Sequence, residues 1–164
     1  MDKEKKVILL AGPTASGKSK LAIKLAKHFK GEIINADSMQ VYKQLQILTA
    51  RPRTKEIKKV KHHLYGFCDV KNKYSTGEWL KLLLKKIKDI RKIKKVPIIV
   101  GGTGLYFKAL VDGLAEIPEV PKINYIHLNL TERSKLQSYY SKMNPKIFEG
   151  INTNDIQRIS RAIS

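Results

Sequence analysis

Eight consecutive residues, Gly12-Pro13-Thr14-Ala15-Ser16-Gly17-Lys18-Ser19, have the types and spacing that bind phosphate. They fit G-x-x-x-x-G-K-[ST], the P-loop pattern. Its two glycines let backbone N–H groups converge on a phosphate, and a helix that starts there points its positive end the same way. Lys18 adds a mobile charge for the terminal phosphates, and Ser19 adds a hydroxyl for Mg²⁺. The plain alternative is a Gly-rich turn joining a strand to a helix. The flanks favour the phosphate loop. Val7 to Ala11 is an apolar run that reads as a buried parallel strand. Leu21, Leu25 and Phe29, with Ala22 and Ala26 beside them, follow at helical spacing.

Two further positions fall where an α/β sheet opens to ligand, just past the carboxyl ends of strands. Asp37 follows the strand-like Glu32 to Ala36. It reads as a chemical carboxylate or as a helix N-cap; the two roles are compatible, and position alone leaves them equal. Val96 to Val100 reads as another buried strand and runs into Gly101-Gly102-Thr103-Gly104, then the helical Leu105 to Leu110. A second Gly-rich turn lets backbone approach a ligand at the same sheet edge.

The remaining elements position these groups. Gly31 is a plausible C-cap for the first helix. Thr49 to Arg53 is a turn carrying two cations and a proline. His62-His63 suggests a metal, but neighbouring histidines point apart and no nearby Cys or carboxylate completes a zinc set. Ser75-Thr76-Gly77-Glu78 is a capping box. The helix behind it puts Leu80, Leu83, Leu84, Ile87 and Ile90 on one stripe, and Lys81, Lys85, Lys88, Arg91 and Lys92 on a solvated face. Pro118, Glu119 and Pro121 mark an exit from the core. Tyr125 to Leu130 alternates like a strand, a helix is expected from Thr131 to Met143, and Asn154-Asp155 caps a last helix. The expected division is a P-loop α/β core over 1–115 and a partial helical region over 116–164 that returns toward the core.

Composition bounds the setting. The chain has 164 residues, with 42% apolar content, as in a soluble globular domain. No apolar run approaches the ~20 residues of a membrane span. The charged N-terminus and the short run behind it exclude a signal peptide. Cys68 is the single cysteine, so no internal disulfide forms, which suits a reducing cytoplasm. Against 14 acidic residues stand 33 Lys and Arg, a net charge of +19. That excess favours a polyanion partner, or it reflects the Lys-, Ile- and Asn-rich usage of an AT-rich genome.

Six blocks then carry a family resemblance: Gly12 to Ser19, Asp37-Ser38-Met39-Gln40-Val41-Tyr42, Thr49-Ala50-Arg51-Pro52, His62-His63-Leu64, Gly101 to Tyr106, and Asn154-Asp155-Ile156-Gln157-Arg158. In this order they resemble the tRNA dimethylallyltransferases, the isopentenyltransferases of tRNA. The resemblance runs from Val7 to about Ile163. It implies a P-loop NTPase-like α/β fold, with a parallel sheet flanked by helices and a partial helical C-terminal region. It implies transfer of a dimethylallyl group from its diphosphate to the exocyclic amine of the adenine beside the tRNA anticodon, with Mg²⁺. The P-loop would then hold a prenyl diphosphate rather than ATP. Asp37, Lys18, Ser19 and Thr103 would be catalytic, with Ser19 also at the metal. Asp37, Ser38, Met39, Gln40, Thr103, Gln157, Arg158, Ile159, Ser160 and Arg161 would contact tRNA. A cytoplasmic monomer without a membrane partner is expected.

The chain departs from the family at several points. Ser19 replaces a common Thr and keeps the hydroxyl. Leu48 stands where the family usually has Gly, and Lys61 where it usually has Pro. The strand-like stretch from Tyr125 falls where helical sequence is expected. The family pattern is about twice this length. Most of a helical insertion gripping the anticodon arm, and of a C-terminal part supplying a further Arg, lies outside this chain. Three alternatives stay open: a P-loop kinase of nucleosides or metabolites using Asp37 and an Arg51/Arg53 lid, a split or inactive fragment that only binds diphosphate or RNA, and a relative that prenylates free adenine nucleotides.

Overall fold

The computed structural model describes residues 6–114, 130–143, 146, 149–152, 154–155 and 158–159. The chain divides into two compact units, Met1–Ala115 and Glu116–Ser164. In the first, the chain runs β1 (Ile8–Ala11), α1 (Lys18–His28), β2 (Gly31–Asn35), α2 (Thr54–Ile57), β3 (His62–His63), α3 (Thr76–Lys92), β4 (Val96–Gly101) and α4 (Gly104–Asp112). The second contains α5 (Leu130–Met143).

The four strands form one parallel sheet in the order β1-β4-β2-β3. Strand periodicity explains its two cores. Ile33, Ile98 and Val100 face one way and meet Ala22 and Ala26 of α1. Ile34 and Ile99 face the other way and meet Trp79, Leu83, Ile87 and Ile90 of α3 and Tyr106 of α4. Helices therefore cover both faces, and β2 and β4 are buried along their whole length. These are the neighbouring parallel strands expected from the sequence.

Several expectations change. β1 is not buried throughout: it pairs with β4 alone among the described strands, and Leu9 is 43% exposed. On α1 the alanines, not Leu21 and Phe29, are the buried stripe, because small side chains let the helix lie close to the sheet. Gly31 is not the C-cap. Phe29 caps α1, Lys30 takes the left-handed conformation with φ 52°, and Gly31 begins β2. Gly31 is needed for a different reason: a Cβ there would stand 2.5 Å from the Val96 carbonyl oxygen. The capping box is present, with the Glu78 N–H donating to Ser75 Oγ at 3.2 Å and the Ser75 N–H to Glu78 Oε2 at 2.8 Å. Leu84 is exposed, and Trp79 holds the inner face instead. Its indole N–H donates to the Asn35 carbonyl at 2.9 Å, and its ring stacks on Tyr106 at 4.1 Å.

A buried ion network ties the amino ends of the strands. Glu32 is 2% exposed; Oε1 meets Lys95 Nζ at 2.8 Å and Oε2 meets His63 Nε2 at 2.6 Å. Burial pushes this carboxyl up, but the hydrogen bonds from Lys95 and His63 and the charges of Lys95 and Lys61 outweigh it and hold it below 4.5. Among the described residues no cluster of three or more His, Cys, Asp or Glu is placed to hold a metal, and His63 belongs to the Glu32 network. His62 Nδ1 lies 2.7 Å from the Val60 carbonyl. Cys68 is buried as a small apolar residue.

In the second unit, the expected helix is α5. It begins at Leu130, the last residue of the expected strand; residues 125–129, and Pro118, Glu119 and Pro121, lie outside the described residues. Asp155 caps a helical turn, its Oδ1 accepting the Arg158 N–H at 3.0 Å.

Gly101 closes the sheet against the chain leaving β2, since a Cβ there would collide with the Ala36 carbonyl group. Gly101→Ala should cost about 1–3 kcal/mol or more, as overpacking does. A urea midpoint equal to that of the parent chain would show that the contact relaxes freely.

Candidate functional site

Three loops meet at the carboxyl ends of β1, β2 and β4. The first is the loop Gly12 to Gly17, which leaves β1 and becomes α1. Ala15 and Gly17 take left-handed conformations, with φ 63° and 82°. Gly17 is the N-cap of α1; no side chain caps that end and no acidic residue lies in its first turn. The first N–H groups of the helix thus keep their capacity for an anion. Gly12 has no left-handed backbone, and a Cβ there would only touch Ser16 Oγ at 3.4 Å. The Lys18 ammonium folds back over its own loop, donating to the Pro13 carbonyl and, at 3.3 Å, to Ser16 Oγ. Ser19 stands exposed in the first turn of α1.

The second loop leaves β2 through Asn35, Ala36 and Asp37. Asn35 is fully buried and holds the loop with its side chain. Its Oδ1 accepts the Asp37 N–H at 2.9 Å, and its Nδ2 donates to the carbonyls of Asp37 at 2.9 Å and Leu64 at 3.0 Å. Asp37 caps a turn, not a helix: Oδ1 accepts the N–H of Met39 at 2.9 Å and of Gln40 at 3.4 Å, and turns follow to Ala50. Among the described residues none donates a hydrogen bond to Oδ2. Both sequence readings of Asp37 are thus compatible, with a turn in place of the helix.

The third loop leaves β4. Gly102 abuts the first loop, with a Cβ position 3.3 Å from the Gly12 carbonyl oxygen. Thr103 joins the second: its N–H donates to the Ala36 carbonyl at 3.3 Å, and its Oγ1 accepts the Ser38 N–H at 2.9 Å. Thr103 is the N-cap residue of α4, yet its hydroxyl serves the neighbouring loop and not its own helix.

Between these loops lies a cleft of about 650 Å³, within the range of small-ligand sites. Thr14 to Lys20 form one wall, and Asp37, Met39 and Gln40 another. Leu45 and Leu48 add apolar surface, although Leu48 is 85% exposed. Tyr65 also lines it. Burial, then the negative charges of Asp37 and Glu56, push its phenol up, so it stays a neutral hydroxyl. Lys18, Ser19, Asp37, Met39 and Gln40 therefore line one cleft, with Ser38 and Thr103 hydrogen-bonded at its edge. Gln157, Ser160 and Arg161 lie outside the described residues. Arg158 and Ile159 belong to the second unit, where Arg158 is exposed and pairs with Asp155 at 3.3 Å, and Ile159 is buried.

The oxygen donors suit a hard cation that keeps most of its waters. Ser19 and Asp37 share the cleft, and Mg²⁺ needs only one or two protein oxygens when phosphates supply the rest. Arg51 is committed elsewhere: Nη1 donates to the Tyr42 carbonyl at 2.9 Å, and the guanidinium packs against Gly66. Asn35, Tyr65 and Leu45 are site residues that sequence reasoning missed. Asn35 alone left a signal, being a polar residue inside an apolar strand.

Comparison with known proteins follows this geometry. The sequence model of a family described as "IPP transferase" matches residues 40–164. A tRNA dimethylallyltransferase of Pelagibacter ubique is 55% identical, covering 99% of this chain and 53% of its own. One from Hyphomonas neptunium is 46% identical, covering 94% of this chain and 50% of its own. The crystal structure of a tRNA isopentenylpyrophosphate transferase from Bacillus halodurans has a TM-score of 0.67 at 32% identity, over 97% of this chain and 54% of that one. A eukaryotic dimethylallyltransferase acting on tRNA reaches 0.76 at 34% identity, over 96% of this chain and 40% of that one. The fold is that of the P-loop NTPase-like isopentenyltransferases. The chain spans about half the length of the curated relatives it matches.

Asn35 is a positioning residue for Asp37. Asn35→Leu removes its three side-chain hydrogen bonds, leaving the Asp37 N–H and two carbonyls to find other partners. Unfolding free energy should fall by about 1–3 kcal/mol. Equal stability, with unchanged amide exchange at Asp37, would remove that role.

Proposed function

We propose that this chain, which belongs to the IPP transferase family, carries the diphosphate-binding half of a tRNA dimethylallyltransferase. The reaction is transfer of a dimethylallyl group from its diphosphate to the exocyclic amine of the adenine beside the anticodon. The observation that carries this reading is the meeting of a phosphate cradle, a carboxylate and apolar surface in one cleft. A kinase cleft needs no pocket for a short hydrocarbon chain, whereas Met39, Leu45 and Leu48 offer one. Arg51, the candidate lid residue of a kinase, is held by backbone contacts.

In this reading the allylic C–O bond breaks, diphosphate leaves with the electron pair, and the amine nitrogen bonds the carbon. Lys18 exchanges its loop oxygens for phosphate oxygens and, with the first N–H groups of α1, stabilises the charge growing on the leaving group. Mg²⁺, held through Ser19 and the phosphates, would neutralise part of that charge. Asp37 keeps Oδ1 on the turn and offers Oδ2 to the amine, taking its proton as the nitrogen becomes positive. Ser38, Met39, Gln40 and Thr103 would then lie against the tRNA, joined by Gln157 to Arg161 of the second unit. A cytoplasmic setting and a monomer belong to the same proposal; no helix among the described residues is long and apolar enough to cross a membrane.

Binding without turnover is the second reading. Competition among ATP, dimethylallyl diphosphate and tRNA separates it from the kinase reading, and single-turnover prenylation of an anticodon stem-loop separates it from the enzyme. Lys18→Ala should weaken prenyl diphosphate binding about 10- to 100-fold, the worth of a charge-assisted contact. Unchanged affinity would end the P-loop assignment. Asp37→Asn should lower turnover about 10²–10⁴-fold in any form that turns over, including the chain completed by a C-terminal half. Diphosphate affinity should hold. Full turnover would leave Asp37 only its turn; lost diphosphate affinity would make it a Mg²⁺ partner.

A further inference from the structure

At the opposite end of the sheet, the amino ends of β2, β3 and β4 border a second cleft, of about 550 Å³. Three separate stretches put lysines into its lining: Lys27 and Lys30 at the end of α1, Lys58, Lys59 and Lys61 between α2 and β3, and Lys95 before β4. No acidic residue lines it. The nearest buried carboxylate, Glu32, is engaged by Lys95 and His63. Among the described residues, Lys27, Lys30, Lys58, Lys59 and Lys61 make no ion pair.

Cations crowded around one concavity repel one another, and an anion that enters relieves the repulsion. The shape narrows the choice of anion. A flat membrane surface does not enter a cleft, and five flexible ammonium groups from two stretches, with Lys95 held by Glu32 beside them, suit a chain of phosphates better than one small anion. Lysine ammonium groups contact a nucleic-acid backbone as point charges and carry no base readout. The cleft also lies in line with the first. Both run between α1 and the α2–β3 segment: Lys20 and Glu56 line the first, Lys27 and Ile57 the second. β2, five residues long, separates them, about 17 Å at the rise of a strand.

We propose that this lysine-lined cleft is a second RNA-binding site, holding backbone phosphates of the same RNA arm whose adenine enters the first cleft. The proposal rests on the tRNA reading above for the identity of the polyanion. It adds a contact on the far side of the core, made by positions such as Lys61 where this chain departs from its family's usual residue.

The test is fluorescence anisotropy of a labelled anticodon stem-loop with the full chain across a salt series. The triple variant K58Q/K59Q/K61Q should bind about tenfold or more weakly, and its log K against log salt slope should be shallower by roughly two to three. A matched triple, K81Q/K85Q/K88Q, removes the same charge from the outer face of α3 and should change both far less. Pyrophosphate titration should be equal in all three proteins, which also shows that each is folded. Equal losses in the two triples would overturn the proposal, because net charge alone would then explain binding. So would displacement of the RNA by polyglutamate of equal charge, which would make the cleft a site for acidic protein. Absent pyrophosphate binding in the parent chain would end the diphosphate reading, while the RNA comparison would still decide this one.

Discussion

The pairing of β2 with β4 is the constraint on which the site depends. The two strands run parallel from Gly31 beside Val96 to Asn35 beside Val100, and both are buried on both faces. Neither end of the pairing has room for a Cβ, at Gly31 beside the Val96 carbonyl or at Gly101 against Ala36. A side chain at either glycine would push the strands apart. Held together, they deliver Asp37 and Thr103 as neighbours, and β1, on the far side of β4, delivers the phosphate loop beside them. Burial energy from two isoleucine-rich strands thus becomes positional accuracy in three loops that contain little apolar packing of their own.

Polar groups complete the positioning where apolar packing stops. Asn35 is the hinge between the two kinds of interaction. Its carbonyl accepts the Trp79 indole N–H on the core side, while its amide holds Asp37 and Leu64 on the cleft side. A buried amide with all three hydrogen bonds made specifies one loop conformation, since any other leaves a polar group unpaired in the interior. Glu32 does the same at the other end, joining β2 to His63 and Lys95. Polar anchors therefore bracket the central strand, one under each cleft.

Much of this was legible beforehand. The P-loop spacing, the apolar runs of β2 and β4, the capping box of α3 and the second Gly-rich turn all follow from local rules that tertiary context seldom reverses. The readings that changed share a cause. Leu21 and Phe29 gave way to Ala22 and Ala26, Leu84 to Trp79, and Gly31 exchanged a cap for a close strand contact. In each case the pattern gave the element correctly, and the distance to a neighbour decided which side of it was buried. Asp37 is similar: its capping role was anticipated, but a turn took the place of the helix.

The sequence by itself determined the family and the core elements β1, α1, β2, α3, β4 and α4, because each rests on residue types at fixed local spacing, whereas α2 and β3 fell in a stretch legible only as basic. Tertiary structure decided what local spacing cannot carry. It put β4 between β1 and β2, which makes Thr103 a neighbour of Ser38, 65 positions away. It gathered lysines from three distant stretches around one cleft. The physical reason is that contacts across a parallel sheet are set by which buried faces and backbones fit together, and that fit is a property of pairs of segments, not of either one alone.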